Sequence, residues 1–493
     1  MRASIAIAEP VSVEIELALT WAGGALLVLL LWALLVAGQT NLLCALVLAI
    51  PLVLLAVFRP QAAAVCTLVY LVLLGDIRRV VAQIAAPGTF DPLLLVTPVV
   101  TVVLAAPLLF RLRLTDTLSK VVLALLVVMG LEVINPKQGP LSIGLSGVFF
   151  YIIPVLWFWV GRGLGSPELI RIILYKALLP LGLCAAAMGI CQNFIGFLPY
   201  QQAWITEVSK VYTSLYVGSS VRAFGFSTSA AEYATLLELS IAAATAAYLG
   251  ARRTWLAAVP ILAAALLLSG GRGLTIKIVA AIPILWLIRR GQKVSIATAV
   301  SMIATVSLAL LSLSFVASYL ATPPGTQRGN SAVQDALSHQ LSGLAHPFDD
   351  RYSSAGVHSN MVLTGFTEGL TNPLGRGLGS TTFAAQKFDA DTDGGSSELD
   401  FSDMFIALGL AGGLLYLAVA LFGVRAAWFY VRDTQVYIGL PVFAILIANL
   451  GGWLIQGQYS TCAIVFFLLG SVVHRGAPSR MSNAASSPYG SLS

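Results

Sequence analysis

Five arginines are the first candidates for chemistry in this chain, of which only 10% of the residues are charged. They occur in four stretches: GDIRRVV (Arg78 and Arg79), SSVRAFGF (Arg222), LLLSGGRGL (Arg272) and HPFDDRYSS (Arg351). Arginine stays charged at working pH, and its planar fork binds phosphate through two hydrogen bonds. Several such forks at one face of a membrane predict a site for a lipid pyrophosphate. The alternative is that each arginine pairs with a carboxylate or a lipid headgroup.

Acidic residues and one histidine are the candidates for a general base. A carboxylate within hydrogen-bond reach of an acceptor hydroxyl can accept its proton as the hydroxyl attacks. The candidates are Glu398, Asp400 and Asp403, followed by His358 and Glu232. The alternative for Asp403 and Glu232 is helix stabilisation, because a negative charge in the first turn meets the positive end of the helix dipole.

Metal and cofactor chemistry has no support in the sequence. The remaining histidines, His339, His346 and His474, show no ligand spacing. All five cysteines fall in predicted helices without paired spacing in a loop, so neither a disulfide framework nor a cysteine metal site is expected. We therefore expect no metal and no cofactor.

The elements that must position these residues are membrane helices. Hydrophobic residues make up 58% of the chain, and the mean hydropathy is +0.88. A bilayer core takes about 20 apolar residues per helix. Runs of that kind predict an all-α polytopic membrane protein with about 12 to 14 transmembrane helices. The predicted spans are 18–37, 42–58, 61–76, 91–110, 118–135, 141–160, 172–197, 230–250, 255–271, 273–289, 295–322, 401–424, 436–450 and 453–473.

Charge placement predicts the orientation of these spans. Short cytoplasmic loops carry an excess of Lys and Arg, and most of the 28 basic residues fall on one face if both termini are cytoplasmic. The acidic stretch before the first span indicates a retained helix and not a cleaved signal. Because the net charge of +6 follows this topology and no basic stripe is present, no nucleic-acid partner is expected.

Two long polar segments divide the chain. Residues 1–322 are predicted to hold the first eleven spans with an external loop at 198–229. Residues 323–400 are predicted to form a large external cap, helical at 331–344 and 356–370. Residues 401–474 hold the last spans, and the Ser-rich tail at 475–493 is predicted to be disordered and cytoplasmic.

Several stretches together resemble the O-antigen polymerase and ligase superfamily. They are VRAFGFSTSAAEYA before a helix, the hairpin LLLSGGRGLTIKIVAAI, the loop segment NPLGRGLGS and the closing DFSDMFIALGLAGGLLYLAVAL. Two earlier segments, GDIRRVVAQIAAPGTFDPLLLVTPV and INPKQGPLSIGLSGVFFYIIPVLWFWVGR, are similar to exopolysaccharide repeat-unit polymerases. The resemblance covers roughly residues 60 to 475. The order of these motifs along the chain and the side of the membrane on which they are predicted to lie are more specific than any one motif.

The resemblance implies a glycosyltransferase of the bacterial inner membrane. Such an enzyme moves a glycan from a polyprenyl pyrophosphate carrier to an acceptor hydroxyl on the periplasmic face, without a nucleotide or metal. It implies that Arg222 and Arg272, and then Arg351, bind the pyrophosphate. The implied partners are the lipid-linked donor and acceptor, the bilayer, and a chain-length regulator or export complex.

One departure separates the branches of that superfamily. Ligases carry a His-Asn pair before the helix that follows the large loop, whereas the matching stretch here reads SSELDFSDMF. His358 lies about forty residues too early to replace it. We therefore expect a polymerase, with a ligase as the nearest alternative. A secondary transporter and a non-catalytic export or assembly subunit are the alternatives of another class.

Overall fold

The structure, a computed structural model, is mostly helical in the part of the chain that it describes, and the strands there form one short hairpin. It describes residues 28–85, 91–110, 114–208, 215–217, 220–250, 253–290, 333, 336–340, 342, 355–382, 385, 399–455 and 457–473. The predicted span at 295–322, the tail, Arg351 and Glu398 lie outside these residues. The hairpin pairs β1 (Tyr216–Val217) with β2 (Ser220–Val221).

The helices follow the apolar runs of the sequence. They are α1 (Thr40–Phe58), α2 (Pro60–Val81), α3 (Leu93–Phe110), α4 (Thr117–Glu132), α5 (Leu141–Leu164), α6 (Pro167–Phe194), α7 (Pro199–Val208), α8 (Ala230–Leu249), α9 (Ala258–Leu268), α10 (Arg272–Arg289), α11 (Ala355–Thr371), α12 (Asp400–Asp433), α13 (Val436–Ala448) and α14 (Tyr459–Ser471). Short 3-10 turns occupy Pro136–Gln138 and Arg253–Ala257.

Five helices in the described part are long and apolar enough to cross a membrane. They are α1, α3, α5, α6 and α12. Helices α13 and α14 are equally apolar in character but only 13 residues long, and a helix needs about 20 residues to cross the hydrocarbon core. The all-α prediction is confirmed for the described residues, and the total of 12 to 14 spans stays a prediction.

Helix α8 lies at the centre of the bundle. Ser229 caps its first turn by accepting a hydrogen bond from the Glu232 N–H at 3.1 Å, and Gly250 ends it. Helices α6, α9, α10, α13 and α14 pack around it. Because nearly all its positions are buried, it lacks the single apolar face of a surface helix. Helix α10, which begins at the candidate Arg272, thus packs against one buried core helix.

Helix α12 is broken at Gly409, where φ is 67°. A segment from the predicted cap, residues 372–380, lies against this break. The N–H groups of Arg376 and Gly377 donate to the carbonyls of Ile406 and Ala407 at 2.9 and 3.0 Å, and the Leu410 N–H donates to Pro373 at 3.2 Å. The backbone groups released by the break are therefore satisfied, as a protein interior requires. This part of the predicted external cap lies among the helices.

Candidate functional site

Two of the five candidate arginines, Arg222 and Arg272, lie at the turn between α9 and α10. The turn is tight because Gly270 adopts a φ of 79°, which only glycine reaches without strain. Arg222, just after β2, donates from Nε and Nη2 to the Ser269 carbonyl, both at 3.2 Å. Its own N–H donates to the Leu215 carbonyl at 2.8 Å. Arg222 and Arg272 thus lie at the two sides of one turn.

A piece of the large loop docks on the same turn. Arg272 donates from Nη1 to the His339 carbonyl at 3.4 Å, and the neighbouring Gln340 side chain donates to the Leu267 carbonyl at 3.2 Å. Burial lowers the pKa of His339, and the positive charges of Arg272 and Arg222 lower it further. An imidazole that favours its neutral form therefore lies beside two permanent cations.

His339 is a site residue that the sequence reasoning missed. It lies 67 positions after Arg272, and neither its neighbours nor its spacing suggests a ligand set. No local signal distinguishes it from His346 or His474. Only the docking of residues 336–340 on the α9–α10 turn brings it to the arginines. We call Arg222, Arg272 and His339 the arginine site.

Arg79 has a different environment, although it was predicted for the same role. Its side chain is 1% exposed and lies between two aromatic rings, 4.0 Å from the Phe224 centroid and 4.4 Å from the Trp204 centroid. It donates to the Ser227 carbonyl at 2.7 Å and pairs with Asp76 at 3.3 Å. These contacts fasten the 198–229 loop to the end of α2.

A polar network completes this fastening. Asp76 also accepts from the Tyr200 hydroxyl at 2.9 Å. Burial, and then the hydrogen bond to Asp76, raise the pKa of Tyr200 to about 12. Gln192 on α6 accepts the N–H groups of Phe224 and Gly225 at 3.0 and 2.9 Å. The loop that presents Arg222 is therefore ordered by contacts that do not involve Arg222.

Arg78 is the more accessible member of its pair. It is 32% exposed and forms an ion pair with Asp91, which is 30% exposed, at 2.5 Å. This ion pair joins the end of α2 to the residues that precede α3. Arg78 therefore has a protein partner, and no contact in the described part links it to the arginine site.

Asp400, a predicted base, is enclosed at the start of α12. It is 1% exposed, and its Oδ2 accepts from the Tyr416 hydroxyl and from the Leu454 N–H, the latter at 2.8 Å. Leu454 belongs to the buried non-helical connection between α13 and α14. Asp400 therefore links α12 to that connection through hydrogen bonds. The same contacts leave its carboxylate little access to a sugar hydroxyl.

The other predicted bases have separate environments. Asp403 is also buried, one helical turn after Asp400. His358 lies on α11, half-buried, and Glu398 lies outside the described residues. Glu232 accepts four hydrogen bonds, from the N–H and hydroxyl groups of Thr228 and Ser460. Glu232 thus holds the starts of α8 and α14 together, which fits the helix-stabilising alternative.

A carboxylate on α8 and a lysine on α10 lie further along these two helices. Both oxygens of Glu238 are buried without a hydrogen-bond partner among the described residues. Lys277, five residues after Arg272 on α10, interacts electrostatically with both Glu238 and Asp400. Ionisable groups enclosed among apolar helices are costly and mark functional sites by default. Lys277 is thus the charged group that connects the helix of Arg272 with the predicted carboxylates.

The chemistry open to the arginine site is anion binding. Two guanidinium groups at one glycine turn supply several donors in fixed orientation, which suits a phosphate or pyrophosphate. A histidine that favours its neutral form can accept a proton or donate one hydrogen bond. In the described part of the chain, no group of three or more His, Cys, Asp or Glu side chains is arranged to hold a metal ion.

Comparisons with family models, with curated proteins and with solved structures find no match to this chain.

Proposed function

We propose that this protein is a membrane glycosyltransferase that polymerises oligosaccharide repeat units carried on polyprenyl pyrophosphate. The observation that carries the proposal is the meeting of Arg222 and Arg272 at the Ser269–Gly271 turn. A leaving pyrophosphate gains negative charge as its bond to the sugar breaks. Positive groups fixed in advance stabilise that charge in the transition state more than in the ground state.

The reaction is a single displacement. The oxygen of an acceptor hydroxyl forms a bond to the anomeric carbon, and the bond from that carbon to the pyrophosphate oxygen breaks. The configuration of the anomeric carbon is inverted. The hydroxyl proton passes to a base, and polyprenyl pyrophosphate leaves with the bonding electrons toward Arg222 and Arg272. No nucleotide, metal or other cofactor takes part in this scheme.

His339 is placed to assist the leaving group and not to act as the base. It lies beside both arginines and favours its neutral form, so its imidazole can donate a hydrogen bond to the departing pyrophosphate, whereas the base of an inverting displacement lies on the opposite side of the anomeric carbon. Asp400 is enclosed by Tyr416 and Leu454. Asp403, Glu398 and His358 remain the candidates for the base. In this proposal Arg79 orders the loop that carries Arg222 and does not touch the pyrophosphate.

The proposal includes a location. The protein is placed in the bacterial inner membrane with both termini in the cytoplasm, about 12 to 14 spans, and the arginine site at the periplasmic face. The apolar helices support the membrane placement, and the distribution of Lys and Arg supports the orientation. A chain-length regulator or an export complex is the proposed protein partner.

A product ladder tests the proposal. Purified protein in liposomes is incubated with a lipid-linked repeat unit, and the glycans are separated by size. We expect a ladder whose steps equal one repeat unit, with free polyprenyl pyrophosphate released at each step. Arg222→Lys is assayed beside Arg79→Lys, with turnover taken per folded molecule, so that a loss of turnover is separated from a loss of folded protein. Turnover without any ladder, or no turnover by folded protein, would contradict polymerisation.

Two other functions have one supporting observation each. His339 supports a ligase, because a histidine from the large loop does reach the arginines although the His-Asn pair is missing. A ligase would join polymer to a lipid acceptor in the same assay and give no ladder. The break in α12, the buried Glu238 and Asp400 and the half-buried Lys277 support a transporter, since such folds place broken helices and ionisable groups at their substrate site. A transporter would move solute without forming a glycosidic bond.

A further inference from the structure

Helix α11, which belongs to the predicted cap, packs closely on the start of α12. Its contact face carries Gly365 and Gly369, where an added Cβ atom would meet the Ser402 side chain and, at 2.6 Å, the Phe405 ring. The Ser402 hydroxyl also donates to the Met361 carbonyl at 2.8 Å. Small residues four positions apart let two helix backbones approach, as they commonly do within membranes. Helix α11 is therefore fixed to a helix that is long and apolar enough to cross a membrane.

The exposed surface of α11 is divided into an apolar half and a polar half. Leu363, Phe366 and Leu370 are 65%, 37% and 67% exposed, and at 3.6 residues per turn they lie within about 60° of one another. We call these three residues the apolar stripe. Ser359, one turn before Leu363, lies in the same sector, so the stripe begins at Leu363. The neighbouring sector is polar, and its exposed residues are Asn360, Thr364, Thr367 and Thr371. A helix on a water-covered surface has one apolar face, toward the core, whereas α11 has a second.

The apolar stripe leads to exposed apolar residues of α12. Leu374, four residues beyond Leu370, is also exposed. The carbonyl of Pro373, next to it, accepts from the Leu410 N–H at 3.2 Å. Leu414 follows one turn further along α12 and is exposed as well. Because α12 is long and apolar enough to cross a membrane, its exposed leucines are the residues that face hydrocarbon. The stripe is thus continuous with a lipid-facing surface.

The size and the neighbours of the stripe indicate what covers it. A stable protein interface takes about 20 to 30 residues on each side, whereas the stripe has three. Lipid chains need no such minimum, because the free energy of burial scales with apolar area. At the end of α11 the exposed Lys137 donates to the Asn372 side chain at 3.3 Å, and a long basic side chain beside apolar surface extends to the headgroups. The stripe and this lysine together fit the boundary between hydrocarbon and headgroups.

We propose that the apolar stripe of α11 lies in the acyl chains of the surrounding bilayer, while the threonine-rich sector faces headgroups and water. Helices of this kind bury their apolar face about 5 to 10 Å into the boundary between headgroups and acyl chains. Lys137 contacts lipid phosphate at the same boundary. One helix of the predicted cap thereby anchors the cap to the membrane. The proposal needs a bilayer around α12 and does not depend on glycosyl transfer.

Spin-label accessibility tests the proposal. The five cysteines are replaced by alanine, and the full-length protein, with one introduced and spin-labelled cysteine, is placed in liposomes of phosphatidylethanolamine and phosphatidylglycerol. Oxygen concentrates in hydrocarbon, and a nickel chelate stays in water. We expect oxygen to relax the label more than nickel does in Leu363→Cys and Leu370→Cys. The order should reverse in the matched controls Thr364→Cys and Thr367→Cys. Leu421→Cys, at a position of α12 that is 68% exposed, is the reference for hydrocarbon.

Two results of this experiment would overturn the proposal. Equal access of nickel to Leu363→Cys and Thr364→Cys would place the stripe in water. Low access of both reagents to Leu363→Cys and Leu370→Cys would show that protein covers it.

Photolabelling of the wild type makes the test independent of any variant. A hydrophobic diazirine dissolved in the bilayer is activated, and the labelled residues are identified by mass spectrometry. We expect label on Leu363 and Leu370 and little on Thr364 and Thr367. Label on Leu421 of α12 with none on α11 would contradict the proposal.

Discussion

Arg79 and Arg222 carry the same side chain at the same end of the bundle, yet their environments differ. Arg79 is enclosed by two aromatic rings, an aspartate and a backbone carbonyl. Arg222 is half-buried, contacts the carbonyl of a glycine turn, and lies beside a histidine and a second arginine. The contacts of the enclosed arginine order a loop, and the half-buried arginine is the one that we propose binds an anion. Residue type alone does not separate these roles.

Replacing Arg79 should have the largest effect on stability. Arg79→Ala removes a buried cation and leaves Asp76 and the Ser227 carbonyl without that donor. Removing one partner of a buried ion pair destabilises by about 3 to 5 kcal/mol. We expect low yield and a lowered Tm in detergent, measured by thermal unfolding.

Arg78→Ala is the matched control for that experiment. Arg78 is the adjacent residue, and its pair with Asp91 is one-third exposed, so solvent screens most of its contribution. Exposed ion pairs contribute about 0 to 1 kcal/mol. Equal loss of Tm in the two variants would remove the distinction between enclosed and accessible arginines.

Replacing Arg222 or Arg272 should reduce rate and leave the fold intact. Removing one donor aimed at a developing negative charge lowers the rate about 10² to 10³-fold. Arg→Lys keeps the charge and loses the planar fork, so it should recover only part of that rate. The measurement is turnover per folded molecule with the lipid-linked donor. A variant that loses Tm but keeps normal turnover would assign that arginine to structure.

Asp400 extends the comparison to the carboxylates, because its environment resembles that of Arg79. Asp400→Asn disturbs the contacts with the Tyr416 hydroxyl and the Leu454 N–H. We expect a loss of about 1 to 3 kcal/mol in unfolding free energy, the range for a disrupted buried hydrogen bond, measured by chemical denaturation. Asp403→Asn is the paired variant. A large fall in turnover at unchanged stability in Asp400→Asn would restore Asp400 as the base.

Replacing His339 should have the smallest effect on stability, and that effect should depend on pH. Its folded-state pKa lies below its ordinary value of about 6.5, so the unfolded chain binds more protons between the two pKa values. Stability should therefore rise with pH through that window and be lost as pH falls through the folded pKa. His339→Gln should flatten this part of the curve of Tm against pH. An unchanged curve would place another group in that role.

The helices that coincide with apolar runs could be predicted from the sequence. The apolar run at 230–250 coincides with α8 almost residue for residue, because Ser229 and Gly250 mark its ends, although α8 is not among the five helices apolar enough to cross a membrane. The span at 401–424 continues to Asp433 as α12, since the helix extends past its apolar part. The break at Gly409 and the segment packed against it were missed, because a positive φ has no hydropathy signature.

Only some residues of the candidate site could be predicted from the sequence. Arg222 and Arg272 could be named because charges at the ends of apolar runs are rare. The burial of Arg79 and Asp400 could not, since their partners Phe224, Trp204, Tyr416 and Leu454 are distant in the sequence. His339 had no signal at all. Contacts between distant segments decide which charged residues are enclosed and which face a site.

A double-mutant cycle of Arg222 and Arg272 tests the central claim most directly. Turnover per folded molecule is measured for the wild type, Arg222→Ala, Arg272→Ala and the double variant, with the same lipid-linked donor. If both arginines act on one pyrophosphate, their effects are coupled, and the double variant should lose clearly less than the product of the two single losses. Single variants with full turnover, or two losses that multiply without coupling, would contradict a shared pyrophosphate site.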